Sequence, residues 1–126
     1  MNRMRQAIIQ SALGPIELNG NSGRQTFCFA KSFLGFEGHF PGYSILPGVL
    51  QNLLSQIVAE QMIESPVTFH SIARAKFSRQ ICPDDRVDVR VTCSEKDDLL
   101  HCATLIQVGD EEAASFTLVL ERQESP

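Results

Sequence analysis

His39 stands between Gly38 and the triplet Phe40-Pro41-Gly42, and after Tyr43-Ser44-Ile45 a second turn, Leu46-Pro47-Gly48, opens onto Val49-Leu50 and a long amphipathic run. Proline fixes its own φ and pushes the preceding residue toward extended geometry, so both segments read as turns of defined shape. His39 is thereby held in a rigid loop facing a helix start. Imidazole, with an unperturbed pKa of ~6.5, is neutral near physiological pH and accepts a proton. The free N–H groups of Gly48 and Val49, at the positive end of the helix dipole, can face an oxyanion. Gly48 also allows close approach to its backbone. Together these groups suit proton abstraction in which charge develops on an oxygen.

The elements that must position them follow from periodicity. Val49, Leu50, Leu53, Leu54, Ile57, Val58 and Met62 recur at the three-and-four spacing of a helix with one buried stripe, predicting a helix over 48–64 that ends at Ser65-Pro66. Pro47 suits its start because a missing N–H costs nothing there. Over 67–77 alternation places Val67, Phe69, Ala73, Ala75 and Phe77 on one face, predicting a half-buried strand. Further strands are expected at 24–30, 86–91, 100–106 and 113–120, with turns at Pro83-Asp84-Asp85, Glu95-Lys96-Asp97-Asp98 and Gly109-Asp110-Glu111-Glu112. One helix followed by a strand meander is the pattern of an α+β domain whose antiparallel sheet wraps the helix.

Composition narrows the function classes. At 126 residues the chain is expected to form a single domain over 1–126, burying about two-thirds of its unfolded surface. A net charge of −4 with scattered Lys and Arg argues against nucleic acid as a partner. Cys28, Cys82, Cys93 and Cys102 show no short paired spacing, and His70 and His101 complete no ligand set, so neither a metal site nor a disulfide framework is signalled. Reduced, mostly buried thiols are expected. Arg3 and Arg5 precede Ala7-Ile8-Ile9, but Gln10 and Ser11 stop that apolar run, which reads as a short N-terminal element rather than a secretory signal. No apolar stretch reaches membrane-spanning length. The expectation is a soluble, cytoplasmic protein.

The segment Phe36, Gly38, His39, Phe40, Pro41, Gly42, Ile45, Pro47, Gly48, Val49, Leu50 resembles the 3-hydroxyacyl-[acyl-carrier-protein] dehydratases of fatty-acid synthesis. Ala75-Lys76-Phe77 with Pro83-Asp84-Asp85 is similar to that family's Ala-Arg-Phe strand and Pro-Gly-Asp turn, so the resemblance runs from about residue 24 to residue 122. It implies the hotdog fold and a homodimer or higher even oligomer built by edge-to-edge sheet pairing, with sites at the dimer interface. It also implies a substrate carried on the phosphopantetheine arm of acyl carrier protein and no metal or organic cofactor. His39 would be the catalytic base, with Phe40, Pro47, Gly48, Val49, Leu53 and Gln56 about the substrate. Phe33, Phe36 and Phe40 are either an acyl tunnel or ordinary packing, and Arg74, Lys76 and Arg79 are either a carrier-docking patch or a common exposed strand face. Val49 stands where the related dehydratase-isomerases carry Cys, so isomerisation gains no support.

One departure bears on turnover. The family's helix carries Glu or Asp where this chain has Leu53, and a Gln one turn later where it has Ile57, with Gln56 one place early. Three substitutes for the acid are conceivable: His39 acting as both base and acid, Asn52 or Gln56 holding a water, or a carboxylate from the other subunit of a heterodimer. Glu60 projects on the Leu53 side, but two turns on, and reads as a solvated, end-of-helix glutamate rather than a displaced acid. Besides dehydration or the reverse hydration, a catalytically impaired carrier-binding partner and a hotdog thioesterase remain as alternatives.

Overall fold

A computed structural model of the chain describes residues 3–36 and 45–123. An N-terminal helix α1 (Arg3–Gln10) is followed by a short strand β1 (Glu17–Asn19), β2 (Ser22–Cys28) and a 3-10 turn (Leu34–Phe36). Helix α2 (Gly48–Ile63) comes next, then β3 (Val67–Phe77), β4 (Arg86–Lys96), β5 (Leu99–Val108) and β6 (Glu111–Arg122). The strands form one antiparallel sheet in the order β1-β2-β4-β5-β6-β3, and α2 contacts β2 to β6. This is the α+β hotdog arrangement, a central helix wrapped by a sheet.

The alternation in β4, β5 and β6 explains the wrapping. Val87, Val89, Val91, Leu100, Cys102, Ile106, Ala114, Phe116, Leu118 and Leu120 are buried on the face that meets α2. From the helix, Leu54, Ile57, Val58 and Ala59 answer them, joined by buried Gln51 and Ser55. Ser55 and Thr104 hydroxyls share a 2.6 Å hydrogen bond, so these polar groups enter the core satisfied. Gly23 of β2 lets the helix approach closely: a Cβ there would lie 2.7 Å from Met62 Cγ and Sδ, so that flexible side chain would have to shift. The α2 stripe differs from expectation at its start, where Val49 is 72% exposed.

Turn chemistry defines the strand ends. Asp97 and Asp98 both take positive φ, 55° and 64°, making the two-residue β4–β5 turn whose twist matches a hairpin. Glu64, at φ 53°, caps α2 with its N–H on the Glu60 carbonyl, and Ser65 donates to the same oxygen at 3.3 Å.

Strand β3 corrects the sequence expectation. It runs over the expected residues but is not half-buried: only Val67 is buried, while Phe69 and Phe77 are 54% and 48% exposed. Two causes combine. β3 is an edge strand that pairs only with β6 among the described residues. Its register also shifts between Phe69 and Ser71 and again between Ala73 and Lys76, with Arg74 at φ 54°, so a single period of two cannot hold along it.

Candidate active site

The start of α2 is built by a few backbone contacts. Leu46 N–H donates to the Ile81 carbonyl at 2.8 Å, tying the residues before the helix to the segment after β3. Pro47 occupies the N-cap position in extended geometry (φ −70°, ψ 156°) and offers no side-chain cap. Its carbonyl accepts from the Leu50 and Gln51 amides at 3.0 and 3.2 Å. The Gly48 and Val49 amides have no acceptor among the described residues. Beside them lies a cavity of about 300 Å³ whose lining includes Pro47, Gly48, Gln51, Phe77 and Arg79.

Phe77 and Gln51 shape this cavity, and sequence reasoning assigned neither to it. A Cβ on Gly48 would stand 3.2 and 3.3 Å from two ring atoms of Phe77, so the ring and the Gly48 backbone are in close approach. Phe77 was expected on a buried strand face; it does lie on the helix side, paired with buried Ala114 and 6.2 Å from the Phe116 ring, but at the sheet edge it stays half exposed over the helix start. Gln51 is 4% exposed and its Nε2 donates to the Leu46 carbonyl at 3.1 Å, bracing the Pro47 turn from inside. Its presence in an otherwise apolar stripe was the available signal. Arg79, paired with Asp85 at 3.1 Å and Glu111 at 3.5 Å, closes the other side.

The remaining candidates fall along the next turns of α2. Leu53, roughly 7.5 Å along the axis from Gly48, is partly buried and packs against the core. Gln56 commits its Nε2 to the Val67 carbonyl at 3.1 Å, fastening α2 to the beginning of β3. Asn52 differs: its Oδ1 is buried and has no hydrogen-bond partner among the described residues, as is also true of Gln51 Oε1. Glu60 is not the solvated glutamate expected from sequence. It pairs with Arg5 of α1 and accepts the Val67 N–H at 3.3 Å, so both carboxylate oxygens are engaged. His39 and Phe40 lie outside the described residues.

Phe33 and Phe36 pack in one cluster with Phe29. Both are buried in an aromatic cluster, with Phe29–Phe33 centroids 4.5 Å apart and Phe33–Phe36 edge-on at 5.5 Å. Among the described residues, no three or more His, Cys, Asp or Glu side chains are grouped to hold a metal ion, and no helix is long and apolar enough to cross a membrane.

Comparison with known proteins agrees with this architecture. A 3-hydroxyacyl-[acyl-carrier-protein] dehydratase FabZ of Pelotomaculum thermopropionicum is 38% identical over 63 residues, covering 44% of this chain and 45% of the relative. The FabZ of Latilactobacillus sakei is 28% identical over 96 residues, covering 68% and 69%. The match thus spans about half the length of the first of these relatives and about two-thirds of the second. Among solved structures, the dehydratase heterocomplex ApeI:P from Xenorhabdus doucetiae superposes with a TM-score of 0.76 at 23% identity, covering 88% of this chain and 96% of that one. A hypothetical thioesterase with coenzyme A from Streptococcus pneumoniae superposes at 0.72 with 8% identity over 97% of this chain and 95% of the other. At such identities these two speak for the fold alone. Residues 16–116, most of the chain, match the ApeI-like family, described as ApeI dehydratase, and the protein belongs to that family of dehydratase-like hotdog proteins.

Proposed function

We propose that the chain is a hydro-lyase that interconverts 3-hydroxyacyl and trans-2-enoyl thioesters carried on acyl carrier protein. The observation that carries this is the uncapped start of α2, where the Gly48 and Val49 amides are without acceptors among the described residues and Gly48 borders a cavity. Loss of water from such a thioester begins at the acidic α-carbon. His39 takes that proton, and the charge moves to the thioester oxygen. The two amides, with the helix dipole behind them, stabilise it there, where fixed donors contribute most. The α-proton is acidified by the thioester itself, so neither metal nor organic cofactor is needed. The carrier-bound substrate is the one by which the FabZ relatives are named, 3-hydroxyacyl-[acyl-carrier-protein].

The hydroxyl must still leave, and Leu53 cannot protonate it. General acid help is worth about 100- to 10,000-fold, so turnover is slow unless another group takes part. Asn52 is the candidate on α2 with an uncommitted buried acceptor. It neighbours Leu53, and its buried Oδ1 lacks a partner among the described residues, whereas Gln56 is already bonded to Val67 and Glu60 to Arg5. An acceptor there orients the departing hydroxyl or a water, while His39 returns its proton.

A two-chain site is favoured by a separate observation. β3 leaves one edge unpaired among the described residues and exposes Phe69 and Phe77 along it. An exposed strand edge with apolar side chains invites pairing with another sheet. The ApeI relative was solved as a heterocomplex. A second hotdog chain bearing a carboxylate would supply the missing acid, and a second copy of this chain would not.

The discriminating experiment is hydration of trans-2-enoyl-acyl-carrier-protein by the purified chain, followed by mass spectrometry of the carrier. Formation of the 3-hydroxyacyl carrier supports the assignment. Binding of the carrier with no turnover, alone or with an acid-bearing hotdog chain added, would leave a binding protein rather than an enzyme.

A further inference from the structure

Cys93 and Cys102 are nine residues apart in sequence, but the β4–β5 hairpin sets them directly opposite each other. The class of this pair follows from the turn. With Asp97-Asp98 as a two-residue loop, Lys96 and Leu99 form the first hydrogen-bonded pair, and the classes alternate from there. Glu95/Leu100 is non-bonded, Ser94/His101 bonded and Cys93/Cys102 non-bonded. Independently, the Cys93 N–H points away from β5 and donates to the Asn21 carbonyl at 2.9 Å. Non-bonded pairs bring opposed Cα atoms to about 4.5 Å, inside the range a disulfide spans without backbone movement. The two sulfurs lie 3.4 Å apart.

We propose that Cys93 and Cys102 form a dithiol site that closes reversibly to a disulfide by exchange with a low-molecular-weight disulfide such as oxidised glutathione. The Cys93 thiolate attacks one glutathione sulfur and releases the first glutathione as a thiolate. Cys102 then gives up its proton and attacks the Cys93 sulfur of the mixed disulfide, releasing the second glutathione. The chain loses two protons and two electrons, which the glutathione disulfide takes up to become two thiols. The order follows from the site. Cys93 retains 9% exposure, whereas Cys102 is fully buried. The hydrogen bond from Cys102, helped by nearby Arg122, makes the Cys93 thiol more acidic than usual. That same bond and burial push the Cys102 thiol up, so Cys93 attacks first.

The neighbouring sulfur extends the effect to the helix. Met62 Sδ lies 3.9 Å from Cys93 Sγ, and its side chain presses on Gly23. Drawing the Cys93 sulfur toward Cys102 withdraws it from Met62, at the C-terminal end of α2. Gly48 is at the opposite end of that helix, roughly 21 Å away, so the dithiol site stands or falls separately from the proposed enoyl chemistry.

The experiment uses the full chain with Cys28→Ser and Cys82→Ser, which removes the two half-buried thiols from the readout. The folded protein is incubated with oxidised glutathione, and its intact mass, free thiols and proteolytic peptides are recorded. The expected result is loss of two hydrogens, a crosslinked Cys93–Cys102 peptide and a thermal midpoint raised by about 5–10 °C through closure of the short loop, all reversed by dithiothreitol. Cys93→Ser should abolish the crosslink while the protein still melts cooperatively. A stable glutathione adduct on Cys93 without crosslinking, or oxidation seen only in denaturant, would overturn the proposal.

Discussion

Gly48→Ala separates the catalytic use of the α2 start from its structural one. The added methyl would stand 3.2, 3.3 and 3.6 Å from three atoms of the Phe77 ring, so the ring has to give by a few tenths of an ångström. It can, because Phe77 is half exposed at the edge of the sheet. Against that small cost, alanine is the better helix former by up to about 1 kcal/mol, less at a first-turn position. Folding stability should therefore change by no more than about 0.5 kcal/mol, a thermal midpoint within a few degrees of the parent. Catalysis should not be spared. An oxyanion must come within about 3 Å of its donors, and the methyl occupies the space through which the thioester approaches Gly48. Loss of one such donor typically costs about 100- to 1,000-fold. We expect kcat/KM for enoyl-carrier hydration to fall about 100-fold, assayed by mass spectrometry of the carrier beside a melting curve. Unchanged kcat/KM in a normally folded variant would refute the placement of the oxyanion at Gly48 and Val49.

Two further substitutions probe the same helix. Asn52→Leu removes a buried oxygen that lacks a partner among the described residues, so the thermal midpoint should rise while kcat/KM falls about 10-fold or more; a gain in stability with unchanged activity would make Asn52 a fold residue only. Glu60→Gln keeps an acceptor for the Val67 N–H but loses the half-buried pair with Arg5. It should lower stability by about 1 kcal/mol, visible in urea denaturation and smaller at high salt, and leave kcat/KM unchanged.

The extent to which this architecture could be read from sequence depended on whether a local period carried the information. The helix at 48–64 was legible because its stripe follows one geometry throughout, and α2 ends one residue earlier, at Ile63. β4, β5 and β6 were legible for the same reason, although each runs beyond its expected ends because the two-residue turns at Asp97-Asp98 and Gly109-Asp110 let pairing continue to the loop. Only the burial of Phe77 was misjudged, because β3 is an edge strand, and nothing local marks that place in the sheet or the bulge at Arg74. The thiol pair was hidden for a different reason: cysteine spacing signals metal sites and tight loops, whereas Cys93 and Cys102 meet through a hairpin register that only the exact turn length fixes. Glu60 was read as solvated since its partner, Arg5, lies 55 residues away in another helix. Within the candidate site, the Pro47-Gly48 helix start was legible from turn chemistry. The braces that shape it, Gln51 onto Leu46 and Phe77 onto Gly48, are tertiary contacts.

The central claim is a histidine-dependent hydro-lyase working without the helix carboxylate, and it is tested most directly by single-turnover hydration of trans-2-enoyl-acyl-carrier-protein by the natural chain, His39→Ala and Leu53→Glu. We predict slow hydration by the natural chain, none by His39→Ala, and faster hydration by Leu53→Glu as a general acid is restored. Hydration that survives His39→Ala, or its absence from all three folded proteins with and without an acid-bearing hotdog partner, would contradict the account.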